Sequence, residues 1–330
     1  MRSQSHILLV DDEPLILSSL KDLLEFDYTV HATTDCHEAV QLVRKHQIKA
    51  VVSDQRMPQM LGHELLKQIK SISPNTIRIL LTGYSDLEAV MNSVNAGEIF
   101  RYLNKPCKPE MLQSALKLAV QIYDRISDLA RQTETNAAAR VPLAVPALPP
   151  RALHIEVEEK HPSVLFVGYE EKESAELVEL LNKKFDVSAA ASVDEAFKTL
   201  AKKPVSVIVS EIKFEEHDGI DVLSTIKQDY PHIVTVILTE VVDATLAVRS
   251  INELQVFRYL TKPQEKSQIE QVVSDAALRN EQYTVQPQTN VLYAAKEINP
   301  TAMPSMPEES ELRLRLRAAQ ALLASKNKFE

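Results

Sequence analysis

The sequence contains few of the residues that mark secreted or membrane-bound proteins. Its 330 residues include only two cysteines, Cys36 and Cys107, which favours two unpaired thiols in a reducing compartment over a disulfide. No apolar run approaches the length of a membrane span, and the N-terminal residues lack the apolar segment of a secretory signal. We therefore expect a cytoplasmic protein without membrane insertion.

Positive charge is also scarce. The chain has 37 Lys and Arg residues against 46 Asp and Glu residues, which gives a formal net charge of -9. This negative excess disfavours direct binding to nucleic acid, so we expect protein partners instead. The apolar and charged fractions, 45% and 25%, are ordinary for a globular chain, and the length predicts two domains.

Short apolar runs alternate with amphipathic helical patterns along the first hundred or so residues. Continuous apolar runs are typical of parallel strands that are covered on both faces. Strict alternation of strand and helix predicts an α/β fold, a parallel sheet with right-handed crossovers and helices on both sides. The five predicted strands are His6–Val10, Tyr28–Ala32, Ala50–Ser53, Ile77–Leu81 and Ile99–Leu103.

Polar side chains follow four of these strands where each one ends. Asp11 and Asp12 follow the first strand, Asp54 the third, Thr82 the fourth and Lys105 the fifth. Because ligands of such sheets bind beyond the carboxyl ends of the strands, we expect these side chains to converge. Scattered solvated acids are the alternative for any one of them, but polar side chains at four of the five strand ends together indicate a site.

The predicted cluster has the chemistry of a phosphoryl acceptor. Asp11, Asp12 and Asp54 would repel one another unless a cation lay between them, and an all-oxygen ligand set favours Mg²⁺. An aspartate carboxylate can attack phosphorus to form an acyl phosphate when the other phosphoryl oxygens are neutralised. Mg²⁺, the Lys105 ammonium and the Thr82 hydroxyl would supply that neutralisation.

A second copy of the pattern begins 157 residues downstream. The constant offset indicates an internal duplication, so the second half should share the fold. Its site differs, because Glu211 replaces Asp54, and Gly168 and Tyr169 replace the acid pair. Thr239 and Lys262 are retained. We expect no phosphorylation there, and Glu211 beside Lys262 is either a mimic of a permanently charged acceptor or a structural salt bridge.

In order and position, these motifs resemble the receiver domain of two-component response regulators. The resemblance covers roughly residues 5–125 and, by the repeat, 162–282. It rests on Asp11-Asp12, Asp54 with Met57-Pro58, Thr82-Gly83, Tyr102 and Lys105-Pro106.

The resemblance implies two flavodoxin-like, doubly wound domains of five βα units, the first intact and the second degenerate. It implies that Asp54 accepts a phosphoryl group from the phosphohistidine of a sensor histidine kinase or phosphotransferase. It further implies that Asp11, Asp12, Asp54 and the Arg56 carbonyl hold Mg²⁺, and that Thr82 and Tyr102 act as switch residues.

The rest of the sequence limits what phosphorylation of Asp54 could control. After both repeats are assigned, no catalytic domain is expected, so the leading hypothesis is a non-enzymatic response regulator. In it, phosphorylation switches contact with a downstream protein or formation of a homodimer. Two alternatives stay open: a phosphoryl carrier or sink, and a constitutive scaffold that is never phosphorylated.

Boundaries follow from composition. We predict a receiver domain with an extended last helix at 1–131, an Ala/Pro-rich linker at 132–160, a degenerate receiver at 161–283 and a tail at 284–330. The heptad-like seam of the last helix is either part of the domain core or partly free. The tail pattern fits an amphipathic helix for docking or self-association, although a strand-like alternation and a loosely ordered end are alternatives. The helical stripe is Leu312, Leu316, Ala319 and Leu323.

Overall fold

The structure is a computed structural model. It describes residues 4–83, 99–139, 161–214, 217–287, 290–298 and 310–326. Among the helices in these ranges, none combines the length and apolarity that a bilayer crossing needs.

The first domain is built on a five-stranded parallel sheet, as predicted. The strand order is β2-β1-β3-β4-β5, so the chain moves outward first to one side of β1 and then to the other. The fifth strand begins two positions later than predicted, at Arg101, and the buried residues Ile99 and Phe100 precede it. The strands are β1 (Ser5–Val10), β2 (Tyr28–Thr33), β3 (Ala50–Asp54), β4 (Ile77–Thr82) and β5 (Arg101–Asn104).

Four helices of this domain are described: α1 (Pro14–Leu24), α2 (Cys36–Lys45), α3 (Gly62–Ile72) and α4 (Pro109–Ala139). Pro14 begins α1, where its missing N–H costs nothing, and the Asp35 carboxylate caps α2 by accepting from the N–H groups of His37 and Glu38.

Helix α4 extends past residue 131, the predicted end of the first domain. It continues to Ala139, because the sequence Thr133–Ala139 contains neither Gly nor Pro and ends in helix-favouring alanines. From residue 140 onward, the predicted linker lies outside the described residues. The seam of α4 is part of the core, since its side chains pack with those of β1, β3 and β4. The buried seam residues are Leu112, Ala115, Ala119, Ile122 and Ile126.

The second domain repeats the architecture. Its sheet has the order β12-β11-β8-β6-β7, the same order read from the other edge, and all its pairings are parallel. A short antiparallel ribbon, β9 (Lys213–Phe214) with β10 (His217–Asp218), follows the third strand of this sheet. The sheet strands are β6 (Ser163–Val167), β7 (Asp186–Ala190), β8 (Val207–Ser210), β11 (Val234–Thr239) and β12 (Arg258–Thr261).

Five helices flank this second sheet, and each has a described partner strand or helix in the same domain. They are α5 (Glu171–Leu181), α6 (Val193–Lys202), α7 (Gly219–Asp229), α8 (Ala244–Leu254) and α9 (Lys266–Val285).

The tail forms two further helices that pack on different domains. Helix α10 (Val291–Ile298) lies on α4 of the first domain, where Ala294 and Ala295 are fully buried. Helix α11 (Glu311–Lys326) lies on α6 and α7 of the second domain and buries Leu312 and Leu316. Of the alternatives left open for the tail, the helix forms at 311–326 and is docked within the chain, and the strand-like alternation does not form a strand there.

Candidate functional site

Asp54 lies at the carboxyl end of the central strand β3 and is 6% exposed. Its Oδ1 atom is 2.6 Å from the Lys105 Nζ atom, and its Oδ2 atom accepts a hydrogen bond of 2.8 Å from the Arg56 backbone N–H. The strand thus delivers a carboxylate that is oriented by one cation and one backbone donor. The Arg56 side chain itself is exposed beside it.

Asp11 meets Asp54 at the same lysine. Its Oδ2 atom is 2.9 Å from Lys105 Nζ, while its Oδ1 atom accepts from the Glu13 N–H at 3.0 Å. Asp11 is buried, and Asp12 next to it is partly exposed. The strand-end rule therefore places Asp11, Asp54 and Lys105 within direct contact, although about a hundred residues separate the first from the last.

The donor set fits a divalent cation. Asp11, Asp12 and Asp54 carry three negative charges and Lys105 one positive charge, so the group has a formal excess of two negative charges. All three acids offer hard oxygen donors, which suit Mg²⁺ rather than a thiolate- or imidazole-preferring ion.

The backbone at Asp54 lies so close to the start of helix α3 that only glycine fits at the first helical position, Gly62. A Cβ atom on Gly62 would overlap the backbone carbonyl oxygen of Asp54. The Gly62 N–H donates to the Gln55 carbonyl at 3.0 Å, which closes the loop. Gly219 has the same position in the second domain, where a Cβ would overlap the Glu211 and Ile212 carbonyls.

Gln55 supports this loop from beneath, a role that sequence reasoning missed. Its side chain is fully buried, with its amide 3.0 Å from the His63 Nδ1 atom and its Oε1 atom accepting from the His63 N–H. Burial lowers the pKa of His63, which keeps the ring neutral as a hydrogen-bond partner. A glutamine directly after a buried strand was the available signal.

Lys105 is held as a cation by its two carboxylates. Partial burial lowers the pKa of Lys105, but hydrogen bonds and charges from Asp54 and Asp11 outweigh burial, and the net pKa is raised above 10.5. Because the folded-state pKa lies above the unfolded value, the stabilisation by this lysine is complete below about pH 10.4. It is lost as the pH rises through the higher folded value.

We expect Lys105→Met to lower the free energy of unfolding by about 2 kcal/mol at neutral pH, because two buried carboxylates lose their shared cation. The lysine side chain is 29% exposed, so solvent screening keeps the loss below that of a fully buried pair. Urea unfolding measures the change, with Lys108→Met at an exposed site as the control. A loss that does not diminish in alkaline solution would contradict this origin.

The two threonines at the ends of the fourth strands have different partners. Thr82 is 1% exposed and its hydroxyl donates to the Gly83 carbonyl at 3.4 Å. Thr239 instead donates to the Glu211 carboxylate, which also contacts Lys262 Nζ at 3.1 Å. Glu211 therefore reaches both the hydroxyl and the ammonium of its site without any added group.

The second site replaces the lost acid pair with other side chains. The buried ring of Tyr169 lies beneath Lys262, with Nζ 4.7 Å from the ring centre, and its hydroxyl donates to the Leu238 carbonyl. Burial raises the pKa of Tyr169 far above its ordinary value, so the ring stays neutral. Glu173 of α5 contacts Lys262 at 2.6 Å and supplies the second carboxylate, which sequence reasoning missed.

Tyr102, predicted as a switch residue, lies on β5, and its side chain is almost fully buried. Its backbone contacts the second domain. The Tyr102 N–H donates to the Asn252 Oδ1 atom at 2.9 Å, and the Asn252 amide donates back to the Tyr102 carbonyl at 3.0 Å. A side-chain amide of α8 thus pairs with the edge of β5 as a neighbouring strand would.

Further contacts extend this pairing along β5. Arg101 donates to the Asn252 carbonyl, and the Gln255 amide donates to the Phe100 carbonyl at 2.8 Å. Tyr102 and Ile251 also belong to one continuous apolar cluster that includes residues of both domains. The strand that carries the predicted switch residue is therefore part of an interface within the chain.

Comparison with known proteins identifies both domains. Residues 7–117 and 164–274, roughly two thirds of the chain, match the response regulator receiver domain. The chain belongs to the response regulator receiver family. Receiver domains are regulatory modules of two-component systems, and this chain carries two of them in tandem.

Curated relatives share one such region. The hydrogenase transcriptional regulatory protein HoxA of Bradyrhizobium diazoefficiens is 33% identical over 135 residues, which cover 41% of this chain and 27% of that protein. An uncharacterized response regulatory protein of Staphylococcus epidermidis is 32% identical over 136 residues, covering 40% of this chain and 52% of that protein. The matches thus leave about half or more of these relatives' length uncovered.

Among solved structures, the signal receiver domain of an HD domain-containing protein from Pseudomonas fluorescens is 35% identical. The alignment covers 43% of this chain and 96% of that chain, with a TM-score of 0.35.

Proposed function

We propose that this chain is a response regulator whose Asp54 accepts a phosphoryl group from the phosphohistidine of a sensor histidine kinase or phosphotransferase. The observation that supports this most directly is the convergence of Asp54, Asp11 and Lys105 at the carboxyl edge of the sheet. Receiver domains typically bind Mg²⁺ at such an acidic pocket. Asp11, Asp12, Asp54 and the Arg56 carbonyl would hold it here.

The proposed transfer is a displacement at phosphorus. An Asp54 carboxylate oxygen forms the new P–O bond while the P–N bond to the donor histidine breaks, and the ring nitrogen keeps the electron pair. Bound Mg²⁺ would supply positive charge to the transferring phosphoryl oxygens. Lys105 binds and orients the Asp54 carboxylate, and the Thr82 hydroxyl, at the end of the neighbouring strand, donates to the product.

The second domain is proposed to hold a fixed counterpart of this site. Glu211 already contacts Thr239 and Lys262, the counterparts of Thr82 and Lys105 in the first domain. With Tyr169 and Glu173 in place of the acid pair, the site retains a neutral ring and an ion pair rather than a metal-binding set. We expect the degenerate domain to stay in one state while the first domain switches.

The output is proposed to be a change in protein contact, and the pairing of Tyr102 with Asn252 is the described contact best placed to respond. Strand β5 pairs with β4, where Leu80 is opposite Tyr102 and Thr82 is opposite Asn104. Recruitment of Thr82 by a phosphoryl group would therefore displace the strand next to the interface. Partner binding or homodimer formation would follow from the altered arrangement of the two domains.

We expect the purified chain to gain the mass of one phosphoryl group when it is incubated with Mg²⁺ and a small phosphodonor. The Asp54→Asn variant should gain none, because it lacks the nucleophilic carboxylate. Glu211→Gln is the matched control in the duplicated site and should be labelled as the wild type is. Intact-mass spectrometry followed by peptide mapping measures both.

Three results separate the candidate functions. Absence of any mass gain would leave the constitutive scaffold as the remaining candidate. Labelling followed by rapid back-transfer to a phosphotransferase, with no change in domain arrangement or oligomeric state, would identify a phosphoryl carrier. Labelling at Asp54 with an altered arrangement supports the switch.

A further inference from the structure

Three histidines converge at the edge of the sheet opposite to Asp54. His6 lies on β1, His31 on β2 and His46 directly after the last turn of α2, and all three are partly exposed. His6 lies near the amino end of β1, whereas Asp11 follows its carboxyl end. At about 3.3 Å per residue, this separates the backbone of His6 from that of Asp11 by roughly 16 Å.

The parallel register of the strands brings the first two rings together. His6 is paired with Thr29, and Leu8 is paired with His31, so both histidines lie on the face of the sheet that packs on α2. The alternate residue Ile7 packs into the cluster on the other face. Helix α2 then ends so that His46 adds the third ring.

Nitrogen atoms of the three rings lie close together. The His6 Nδ1 atom is 2.9 Å from the His31 Nε2 atom, and ligand atoms of all three histidines lie within 4.8 Å of one another. The ring centres of His31 and His46 are 4.4 Å apart. Four-coordinate zinc holds imidazole nitrogens at 2.0–2.1 Å, which places them about 3.3 Å from one another, so the His6–His31 separation already suits a ligand set and rotation of the rings would have to close the longer separations.

We propose that His6, His31 and His46 form a binding site for a borderline divalent transition-metal ion of the Zn²⁺ class. Three neutral imidazoles suit Zn²⁺, Co²⁺, Ni²⁺ or Cu²⁺ and do not suit Mg²⁺, so this site and the acidic site would select different ions. A nitrogen that binds the ion must carry no proton. A proton on such a nitrogen would therefore move to the other nitrogen of the same ring, which is a change of tautomer. Water completes the coordination.

The environment favours the neutral rings that a metal needs. Burial first, and then the charges of His46 and His6, lower the pKa of His31 below 6.5. A bound ion would connect the edge strand β2 to β1 and to the end of α2, so it would tie three elements together on the side away from the phosphorylation chemistry. The expected role is therefore structural, as an added link in the first domain.

The test uses the full chain, stripped of metal by a chelator and kept in excess Mg²⁺ so that the acidic site is occupied. Isothermal calorimetry with Zn²⁺ should give one ion bound per chain, and Co²⁺ should give the visible absorption of a four-coordinate complex. We expect His31→Asn to weaken Zn²⁺ binding by about 100-fold or more, since loss of an indirect supporting contact alone costs 10–100-fold. His6→Asn and His46→Asn should act in the same direction.

His37→Asn is the matched control, because His37 is an exposed histidine on the same helix that ends at His46. It should bind Zn²⁺ as the wild type does. Circular dichroism checks that each variant is folded, and Zn²⁺ should raise the Tm of the wild type and of His37→Asn but not of His31→Asn. The proposal is overturned if the wild type binds no Zn²⁺ or if binding persists in all three ligand variants.

Discussion

Replacement of Gly62 by alanine is expected to destabilise the first domain and to impair phosphorylation of Asp54 together. The added Cβ would overlap the Asp54 carbonyl oxygen, which is backbone and cannot rotate away. Overpacking of this kind costs about 3 kcal/mol, well above the gain of up to about 1 kcal/mol that alanine brings to a helix. Relief of the overlap would displace Asp54 from Lys105, and a shift of about 1 Å can cost about 100-fold in rate.

The duplicated fold supplies the matched control for this experiment. Gly219→Ala creates a milder overlap, with the Glu211 and Ile212 carbonyls, and should destabilise the second domain in the same direction. It should leave the phosphorylation rate of Asp54 within about twofold of the wild type, since distant and independent sites act additively. Urea unfolding and initial rates of phosphodonor labelling give both quantities. Equal loss of labelling in the two variants would argue against a local effect on the acceptor loop.

Asn252→Asp is expected to open the contact between the two domains. The aspartate retains the acceptor for the Tyr102 N–H but places a carboxylate oxygen against the Tyr102 carbonyl, where the amide donor of Asn252 lies at 3.0 Å. Loss of one hydrogen bond together with a poorly solvated charge costs about 3 kcal/mol. Separation of β5 from α8 would return the carboxylate to water and remove much of this free-energy cost. The variant should therefore be more extended in small-angle scattering.

The same variant tests whether the contact is linked to Asp54. In the wild type, Mg²⁺ with a phosphodonor should change the scattering profile, because phosphorylation and domain contact are coupled reciprocally in the proposed switch. Asn252→Asp should be labelled at Asp54 yet show no further change. Thr245→Ala, at an exposed position of the same helix, is the control and should respond as the wild type does. A wild-type profile that is indifferent to labelling would refute the coupling.

The positions of Asp11, Asp54 and Lys105 were predictable because they depend on local sequence and one topological rule. Apolar runs fixed where the strands end, and parallel strands place those ends at one edge of the sheet. The constant offset of the repeat then extended the same reasoning to Glu211 and Lys262 without further assumptions.

Contacts that depend on relative orientation were not predictable in this way. Glu173 reaches Lys262 from the first turn of a helix, at a distance that depends on how the helix leans on the sheet. Asn252 meets Tyr102 only because two domains pack in one particular arrangement. The three histidines meet only because of the register of β1 against β2 and the position at which α2 ends. The hydrophobic pattern of the sequence did not specify either of these.

The tail helices have a consequence for how long the two domains can stay apart. After the second domain, the chain returns to the first, where Ala294 and Ala295 lie against α4, and then returns again to dock α11 on the second. A covalently attached helix rebinds at an effective concentration that reaches the millimolar range for short tethers, far above that of a free partner. In the unphosphorylated wild type, where the pairing of Tyr102 with Asn252 also holds the domains together, any opening would therefore be brief unless α10 were captured elsewhere.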